Sequence, residues 1–324
     1  MNAQAQILNC DVVVVGGGGS GLAAAIEAAV SGASVVVLEK EASLRGSTGR
    51  SVGAIAASRT PDQRQLGVDD TPELHLADYR KLSGDRAASE NEDLARLLVN
   101  NVTETLAWLR GLGVEFFGPV EGAGHSAPRL HNALPGSQAY IYHLRKRARR
   151  LGVRVLLNTA VERINHIDGS VTGVEARTRD GREVRARARR AVVLTTGDFS
   201  ASAEMKRTYL GDRYAGFLPV NPAATGDAQR MAAQMGGEVI NGDLIDLPTL
   251  RLAPPGRGRL VRSTAEDPAR SGTDQADQVG TEERSRQVGS PGDAQLCHDI
   301  LVAARNPFRS WRNPHRPTGR MEKA

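Results

Sequence analysis

The chain has 324 residues, a net charge of +5, 40% hydrophobic residues and 4% aromatic residues. This composition suits a soluble α/β protein that is large enough to bury a substantial core. No run of 18 apolar residues occurs, so no membrane-spanning segment is predicted. Cys10 and Cys297 lie too far apart in the chain to form a redox or zinc motif, and no metal site is expected. Free thiols and an N-terminus unlike a signal peptide predict a cytoplasmic location.

The first predicted elements form a strand, turn, helix and strand within residues 11–40. Four consecutive valines, Val12–Val15, predict a short buried strand. Residues 22–29 consist of Ala, Leu, Ile and Glu, which favour a helix. A second apolar run, Val35–Leu38, predicts the next strand. This order of elements is typical of a dinucleotide-binding unit.

The glycines between the first strand and the helix have the spacing G-x-G-x-x-G. Gly16 would allow the tight turn, Gly18 would let a pyrophosphate approach the backbone, and Gly21 would let the helix pack closely on the strand. The N–H groups at the start of the helix would then face the phosphates. Glu39 follows the second strand and can accept hydrogen bonds from an adenosine ribose. The unit therefore predicts a bound dinucleotide.

The next stretch, residues 39–58, is small, polar and glycine-rich, which predicts a long extended loop. Leucines and valines recur at helical spacing between residues 90 and 112, and glycines stop the pattern there. A Gly- and Pro-rich loop is predicted for residues 118–137. A helix from about residue 138 to 151 follows it.

A β-rich stretch follows the predicted helix. Residues 153–164 predict either a pair of strands or one long bent strand. The dipeptide Asp180-Gly181 separates two alternating segments, 170–178 and 183–189, which predicts a hairpin. Residues 191–197 predict a buried strand that ends in a Thr-Thr-Gly turn.

The last regular pattern is a helix over residues 225–237, with Thr225 as its N-terminal cap. From residue 253 onward, hydrophobic periodicity is almost absent and prolines are frequent. We therefore predict one domain over residues 8–252 and a low-order Arg/Pro/Gly-rich tail over residues 253–324. Within that tail, the segment LCHDILVAA (296–304) is the one helix candidate.

Five motifs taken together resemble the flavoprotein subunit family of fumarate reductase and succinate dehydrogenase. They are VVVVGGGGSGLAAA, VVVLEK leading into GSTGRSVGAIAA, LLNTAVERI, VVLTTGDF and NPAATGDAQRMAAQMGG. The family also includes 3-ketosteroid Δ1-dehydrogenases and L-aspartate oxidase, and the resemblance covers roughly residues 10–255. It implies an α/β, Rossmann-like FAD-binding domain that has a parallel sheet and an inserted antiparallel β-meander.

The resemblance also implies the chemistry. FAD would carry hydride at N5 to or from a carbon next to a carbonyl or carboxylate. The substrate would be a small dicarboxylate or keto compound, and an unidentified electron donor or acceptor would complete the cycle. Family members with covalent FAD place a histidine in the loop that corresponds to residues 47–53. No histidine occurs there, so non-covalent FAD is expected.

The cofactor-binding residues implied by the resemblance fall into five groups. They are the pyrophosphate group (Gly16, Gly18, Ser20 and Gly21), the AMP group (Glu39 and Lys40), the flavin loop (Ser47, Thr48, Val52 and Gly53), the adenine contact (Val161), and the strand-end turn with an acid (Thr195, Thr196, Gly197 and Asp227). Backbone N–H groups of the flavin loop can donate to flavin N5. No residue is assigned a catalytic role.

The chain departs from the family pattern in three places. Asp198 replaces a second glycine of the strand-end turn, and Leu247 replaces a histidine that binds a substrate carboxylate. The family's capping domain, active-site arginine and closing FAD segment have no counterpart after about residue 255, as expected of a truncated or frameshifted chain. An alternative is therefore a catalytically inactive FAD-binding remnant.

Other candidate groups remain open. His125 and His131 could face the flavin or be ordinary hydrogen-bonded histidines. Arg129 could contact an anionic substrate or be an exposed loop arginine. The basic runs 145–150 and 182–190 raise a nucleic-acid-binding alternative, but they lack stacking aromatics, so no nucleic-acid partner is expected.

Overall fold

The computed structural model describes residues 5–243 and 301–304. The helices are α1 (Gly19–Val30), α2 (Pro61–Gln65), α3 (Pro72–Ser83), α4 (Glu92–Leu112), α5 (Gln138–Arg150), α6 (Ala203–Leu210), α7 (Asp212–Ala215) and α8 (Asp227–Gln234), with 3₁₀ helices at Thr48–Arg50 and Gly84–Ser89. The strands are β1 (Gln6–Val15), β2 (Val35–Leu38), β3 (Ala54–Ala56), β4 (Glu115–Val120), β5 (Leu130–Leu134), β6 (Arg154–Leu156), β7 (Thr159–Ile167), β8 (Ser170–Thr178), β9 (Glu183–Leu194) and β10 (Leu301–Ala304).

A seven-stranded sheet organises the fold. Its order is β6-β2-β1-β9-β8-β7, and β10 pairs with the remaining free edge of β9. Strands β6, β2, β1 and β9 run parallel, whereas β7, β8 and β9 form an antiparallel meander. The predicted α/β fold with a parallel sheet and an antiparallel meander is confirmed. The meander continues the same sheet because β9 pairs with β1 on one side and with β8 on the other.

The valine run is buried on both faces of the sheet, as expected of a central parallel strand. Val12 and Val14 pack into a core that also contains residues of α1, α4 and α5. Val13 and Val15 pack into a second core, formed with the meander and Met231 of α8. The four consecutive valines at the end of β1 are all apolar because both faces of the sheet are covered there.

Strand β9 is a single strand of 12 residues that combines the second hairpin strand and the buried strand predicted after it. Residues 153–164 contribute to two separate strands, β6 and β7, which lie at opposite edges of the sheet. A second, three-stranded sheet has the order β3-β5-β4. Helices α4 and α5 agree with their sequence patterns within two residues. No helix in residues 5–243 is long and apolar enough to cross a bilayer.

The C-terminal predictions lie mostly outside the described residues, including Leu247 and nearly all of the tail. The exception is β10, a strand at Leu301–Ala304 within the segment 296–304 for which a helix was proposed; the low-order tail over residues 253–324 stays a prediction. It pairs antiparallel with Ala191–Leu194 of β9. Strand β8 pairs with β9 only as far as Arg187, so the backbone groups of β9 beyond that point offer a free edge. The division at residue 252 stays a prediction.

Arg129 is neither an exposed loop residue nor a ligand of the kind expected from the sequence. Its side chain is completely buried. The guanidinium donates to both carboxylate oxygens of Asp70, at 2.7 and 2.6 Å, and to Asp78. Gln63 adds a bond to Asp70 at 2.8 Å. A buried ion-pair network therefore joins helix α3 to the start of β5.

Buried histidines surround this network. Burial, Arg129 and His125 lower the pKa of His75 to about 4. Burial also lowers the pKa of His131, whose ring nitrogens lie 2.7 Å from the Arg129 carbonyl and 3.2 Å from Thr60 Oγ1. These imidazoles are neutral at pH 7, so they add no charge beside the arginine.

We expect Arg129→Met to reduce the free energy of unfolding by about 3–5 kcal/mol, because two carboxylates would remain in the interior without their cation. The matched control is Arg110→Gln, which breaks the partly exposed pair between Arg110 and Asp62 and should cost less than about 1 kcal/mol. Urea unfolding of both variants measures the difference. Equal stability of the two variants would contradict the structural role of the buried network.

Candidate functional site

Two of the motif glycines are required by packing. A Cβ at Gly21 would lie 1.9 Å from the carbonyl oxygen of Gly16, and a Cβ at Gly16 would lie 2.4 Å from the carbonyl oxygen of Thr195. Gly16 also has φ of +103°, a conformation that glycine adopts without strain. These contacts place the N-terminus of α1 directly against the ends of β1 and β9.

Gly18 has room around it. Its φ is −75°, and a Cβ there would meet only the Cα of Gly46, at 3.6 Å. Packing and backbone strain therefore do not demand glycine at this position. Gly18 lies on the wall of an open cleft, where the missing side chain leaves space for a ligand to approach the backbone. This is the arrangement that a pyrophosphate requires.

Glu39, at the end of β2, is 7% exposed, and its carboxylate is held by the backbone. One oxygen accepts from the Gly17 N–H at 2.7 Å, and the other accepts from the Glu41 N–H at 2.8 Å. The carboxylate therefore fixes the glycine turn as well as facing the cleft. The sequence suggested only a ribose-binding role and missed this internal one.

Lys40 and Asp227 form an ion pair at 2.7 Å on the cleft wall. The Lys40 ammonium also donates to Thr225 Oγ1 at 2.7 Å, and Arg230 donates to Asp227 at 2.7 Å. The prediction that Thr225 caps α8 is wrong, since Gly226 occupies the capping position. Thr225 instead bridges Lys40 and Asp227, because its hydroxyl donates to the aspartate at 2.8 Å.

The strand-end turn connects the other segments of the site. The Thr195 hydroxyl donates to the carbonyls of Val15 at 2.8 Å and Gly16 at 3.0 Å. The Thr196 hydroxyl accepts from the Ala228 N–H at 2.9 Å and so satisfies a free donor in the first turn of α8. Thr195 therefore holds the end of β1 and the glycine turn, whereas Thr196 holds the start of α8.

The glycine-rich segment after β2 is more structured than the long extended loop predicted for it. It contains the 3₁₀ helix at Thr48–Arg50 and strand β3. Thr48 Oγ1 accepts from the Gly19 N–H at 3.3 Å, which joins this segment to α1. Gly46 has φ of +56°, and a Cβ there would lie 2.8 Å from the Gly18 Cα. The two glycine-rich stretches therefore cross at backbone contact.

These elements form the walls of one open cleft. Twelve of the fifteen assigned cofactor residues line it. They are Gly16, Gly18, Ser20, Glu39, Lys40, Ser47, Thr48, Val161, Thr195, Thr196, Gly197 and Asp227. Three assigned residues do not line the cleft. Gly21 instead allows α1 to pack against the Gly16 carbonyl. Val52 is 63% exposed, and Gly53 immediately precedes β3.

The cleft also contains residues that were not assigned from the sequence. Gly19, Gly46, Thr159 and Asn221 line it, and Asn221 donates to Ser47 Oγ at 3.3 Å. Asn221 is the first residue of the NPAATGD motif. The sequence identified this motif but not the contribution of Asn221 to the cleft wall. His125 and His131 do not line the cleft. No cluster of His, Cys, Asp or Glu within residues 5–243 could hold a metal ion.

Comparison with known proteins agrees with this geometry. Residues 11–264 match the family described as FAD binding domain. NADH:fumarate oxidoreductase of Klebsiella pneumoniae is 34% identical to this chain, over 74% of this chain and 26% of its own length. Urocanate reductase of Eggerthella lenta is 33% identical, over 71% of this chain and 39% of its own length. The structure of a 3-ketosteroid-Δ4-(5α)-dehydrogenase from Rhodococcus jostii superposes with a TM-score of 0.64 at 29% identity, over 71% of this chain and 55% of that one. The chain therefore spans well under half the length of these curated relatives.

Gly18→Val should weaken FAD binding by roughly 10- to 100-fold or more, because a branched side chain would fill the space beside the backbone. The fold should remain, since valine tolerates this φ and the nearest atom is 3.6 Å from its Cβ. The control is Gly111→Val in α4, where nothing lies within 4 Å of the added Cβ. Fluorescence titration of each apoprotein with FAD measures the affinities, and equal affinities would exclude Gly18 from the phosphate site.

Glu39→Ala should weaken FAD binding roughly 10- to 100-fold, through loss of charge-assisted bonds worth about 1.5–3 kcal/mol. It should also destabilise the apoprotein by about 1–3 kcal/mol, because the Gly17 and Glu41 N–H groups lose their acceptor. Glu27→Ala, on the exposed side of α1, is the control. Unchanged apoprotein stability in Glu39→Ala would contradict the internal role, whereas unchanged affinity would contradict the role in binding.

Proposed function

Because this chain belongs to the FAD binding domain family, we propose that it is an FAD-dependent oxidoreductase of the fumarate reductase/succinate dehydrogenase flavoprotein type. The observation that carries the proposal is the convergence of twelve assigned residues on one cleft, although they come from six separate segments. The curated relatives are reductases by name, which supports redox chemistry for this chain as well.

Each part of the cleft suits one part of the dinucleotide. The turn at Gly16–Gly21 and the N–H groups of α1 would hold the pyrophosphate. Glu39 would accept from the ribose while it keeps the glycine turn in place. Val161, at the start of the meander, would contact the adenine. The segment 47–53 would extend along the ribityl chain towards the flavin ring.

When bound, FAD supplies hydride transfer at N5. We propose exchange with a carbon next to a carbonyl or carboxylate, in a small dicarboxylate or keto substrate. The protein's part is to orient the cofactor and to exclude water from its phosphate half. The electron donor or acceptor stays unidentified, and a cytoplasmic location stays a prediction from the sequence. The absence of histidine from residues 47–53 supports non-covalent attachment.

A second candidate is FAD binding without turnover. None of the described residues that line the cleft is an arginine or a histidine. A group that binds a substrate carboxylate or delivers a proton is therefore missing from the described part of the cleft. This observation favours FAD binding as the role of the described cleft residues, without substrate reduction by those residues themselves.

One experiment separates these candidates. We expect the purified full chain to be yellow and to release all its flavin as FAD after acid precipitation, as non-covalent binding requires. Turnover of fumarate or urocanate with reduced viologen would support the oxidoreductase, whereas bound FAD without turnover would support the second candidate. A chain that remains colourless after incubation with FAD would contradict both. Flavin that stays with the precipitate would contradict non-covalent attachment alone.

A further inference from the structure

The carbonyl group of Gly53 is held by two donors from different elements. The Tyr140 hydroxyl, on α5, donates to it at 2.7 Å, and the Ala133 N–H, on β5, donates at 2.8 Å. Gly53 has φ of +87°, and its own N–H donates to Ser51 Oγ at 3.2 Å. A Cβ at this glycine would lie 2.9 Å from the Ser137 nitrogen. The end of the flavin loop is therefore fixed at one peptide.

The other end of this short stretch is also fixed. The Ser51 hydroxyl donates to the Thr48 carbonyl at 2.8 Å, which ties Ser51 to the preceding 3₁₀ helix. That helix contacts α5, because the Gln138 side chain donates to the Gly49 carbonyl. Helix α5 thus holds the loop at two points, on either side of Val52.

These hydrogen bonds hold residues 48–53 from both ends, and we call this stretch the clamp. Val52 differs from its neighbours within the clamp. Its side chain is 63% exposed. Gly49, Arg50, Ser51 and Gly53 all donate their backbone N–H groups to protein acceptors. The Val52 N–H has no such acceptor among the residues that the structure describes. A rigidly held, unpaired donor on an exposed loop is a preorganised contact for a ligand.

We propose that Tyr140 is a positioning residue of the flavin site, which fixes the Gly53 peptide and so aims the free Val52 N–H at the flavin ring. The inference rests on the proposed function, because it requires FAD to lie along this loop. Tyr140 itself does not line the cleft and is 3% exposed. It acts through the Gly53 carbonyl and not through contact with the cofactor.

The chain offers a matched pair of tyrosines for the test. Tyr140→Phe removes the hydroxyl and keeps the ring, which packs against Phe116 with centroids 5.9 Å apart. Tyr142→Phe makes the same change two residues later on α5, where the side chain is 59% exposed. Ser51→Ala is a second variant that loosens the clamp from its exposed side without altering the core.

The first measurement is amide hydrogen exchange over residues 51–54 in the apoprotein. Tyr140→Phe and Ser51→Ala should raise the exchange rates about two- to tenfold, the range expected when one hydrogen bond is lost. The second measurement is the visible circular dichroism of bound FAD, which reports on the surroundings of the ring. Both variants should change this spectrum. Their Kd for FAD should stay within about threefold of wild type, because the phosphate and AMP contacts are remote.

Tyr142→Phe should match wild type in every measurement. If wild type binds FAD but Tyr140→Phe has the same flavin spectrum and the same exchange rates, the positioning role is wrong while the proposed function stands. If Tyr140→Phe lowers thermal stability and leaves the flavin spectrum unchanged, the tyrosine is structural only and the inference is also wrong. If wild type binds no FAD, the proposed function fails and this inference fails with it.

Discussion

The close approach of helix α1 to the ends of β1 and β9 is the constraint on which the site depends. There is no space for a side chain between Gly21 and the Gly16 carbonyl, or between Gly16 and Thr195. Parallel pairing of β1 with β9 brings Thr195 to this point, and its hydroxyl then satisfies the Val15 and Gly16 carbonyls. Loss of this approach would move the first turn of α1, and with it the N–H groups that face the cleft.

The remaining walls are attached to this turn by polar contacts over long sequence distances. Glu39 reaches it through the Gly17 N–H, and Thr48 reaches it through the Gly19 N–H. Thr196 fixes α8, whose Asp227 returns to Lys40 at the end of β2. The cleft therefore lies at the carboxyl ends of parallel strands, where open α/β sheets bind their ligands. A single local change, such as loss of the Glu39 carboxylate, acts on both the turn and the ligand site.

The sequence predicted the elements whose signals are local. The valine runs, the glycine spacing and the hairpin at Asp180-Gly181 each identified their element. Helices α2 and α3 were missed, although Thr60 and Thr71 each precede a proline and cap a helix. The position of Arg129 was not predictable in this way. Its partners, Asp70 and Asp78, lie more than 50 residues earlier in the chain, and only the packing of α3 against the start of β5 brings them together.

The charges on the cleft wall explain why glycines, and not basic residues, dominate its sequence signature. Among the described residues that line it, the charged ones are Glu39, Lys40, Glu41 and Asp227. Lys40 is paired with Asp227, and Glu41 is paired with Arg50 at 2.8 Å. The Glu39 carboxylate is satisfied by two backbone amides. A pyrophosphate placed here would therefore meet N–H groups and the dipole of α1 before it met an available cation. Such binding depends on how closely the anion can approach the backbone, and the absent side chain of Gly18 determines that distance.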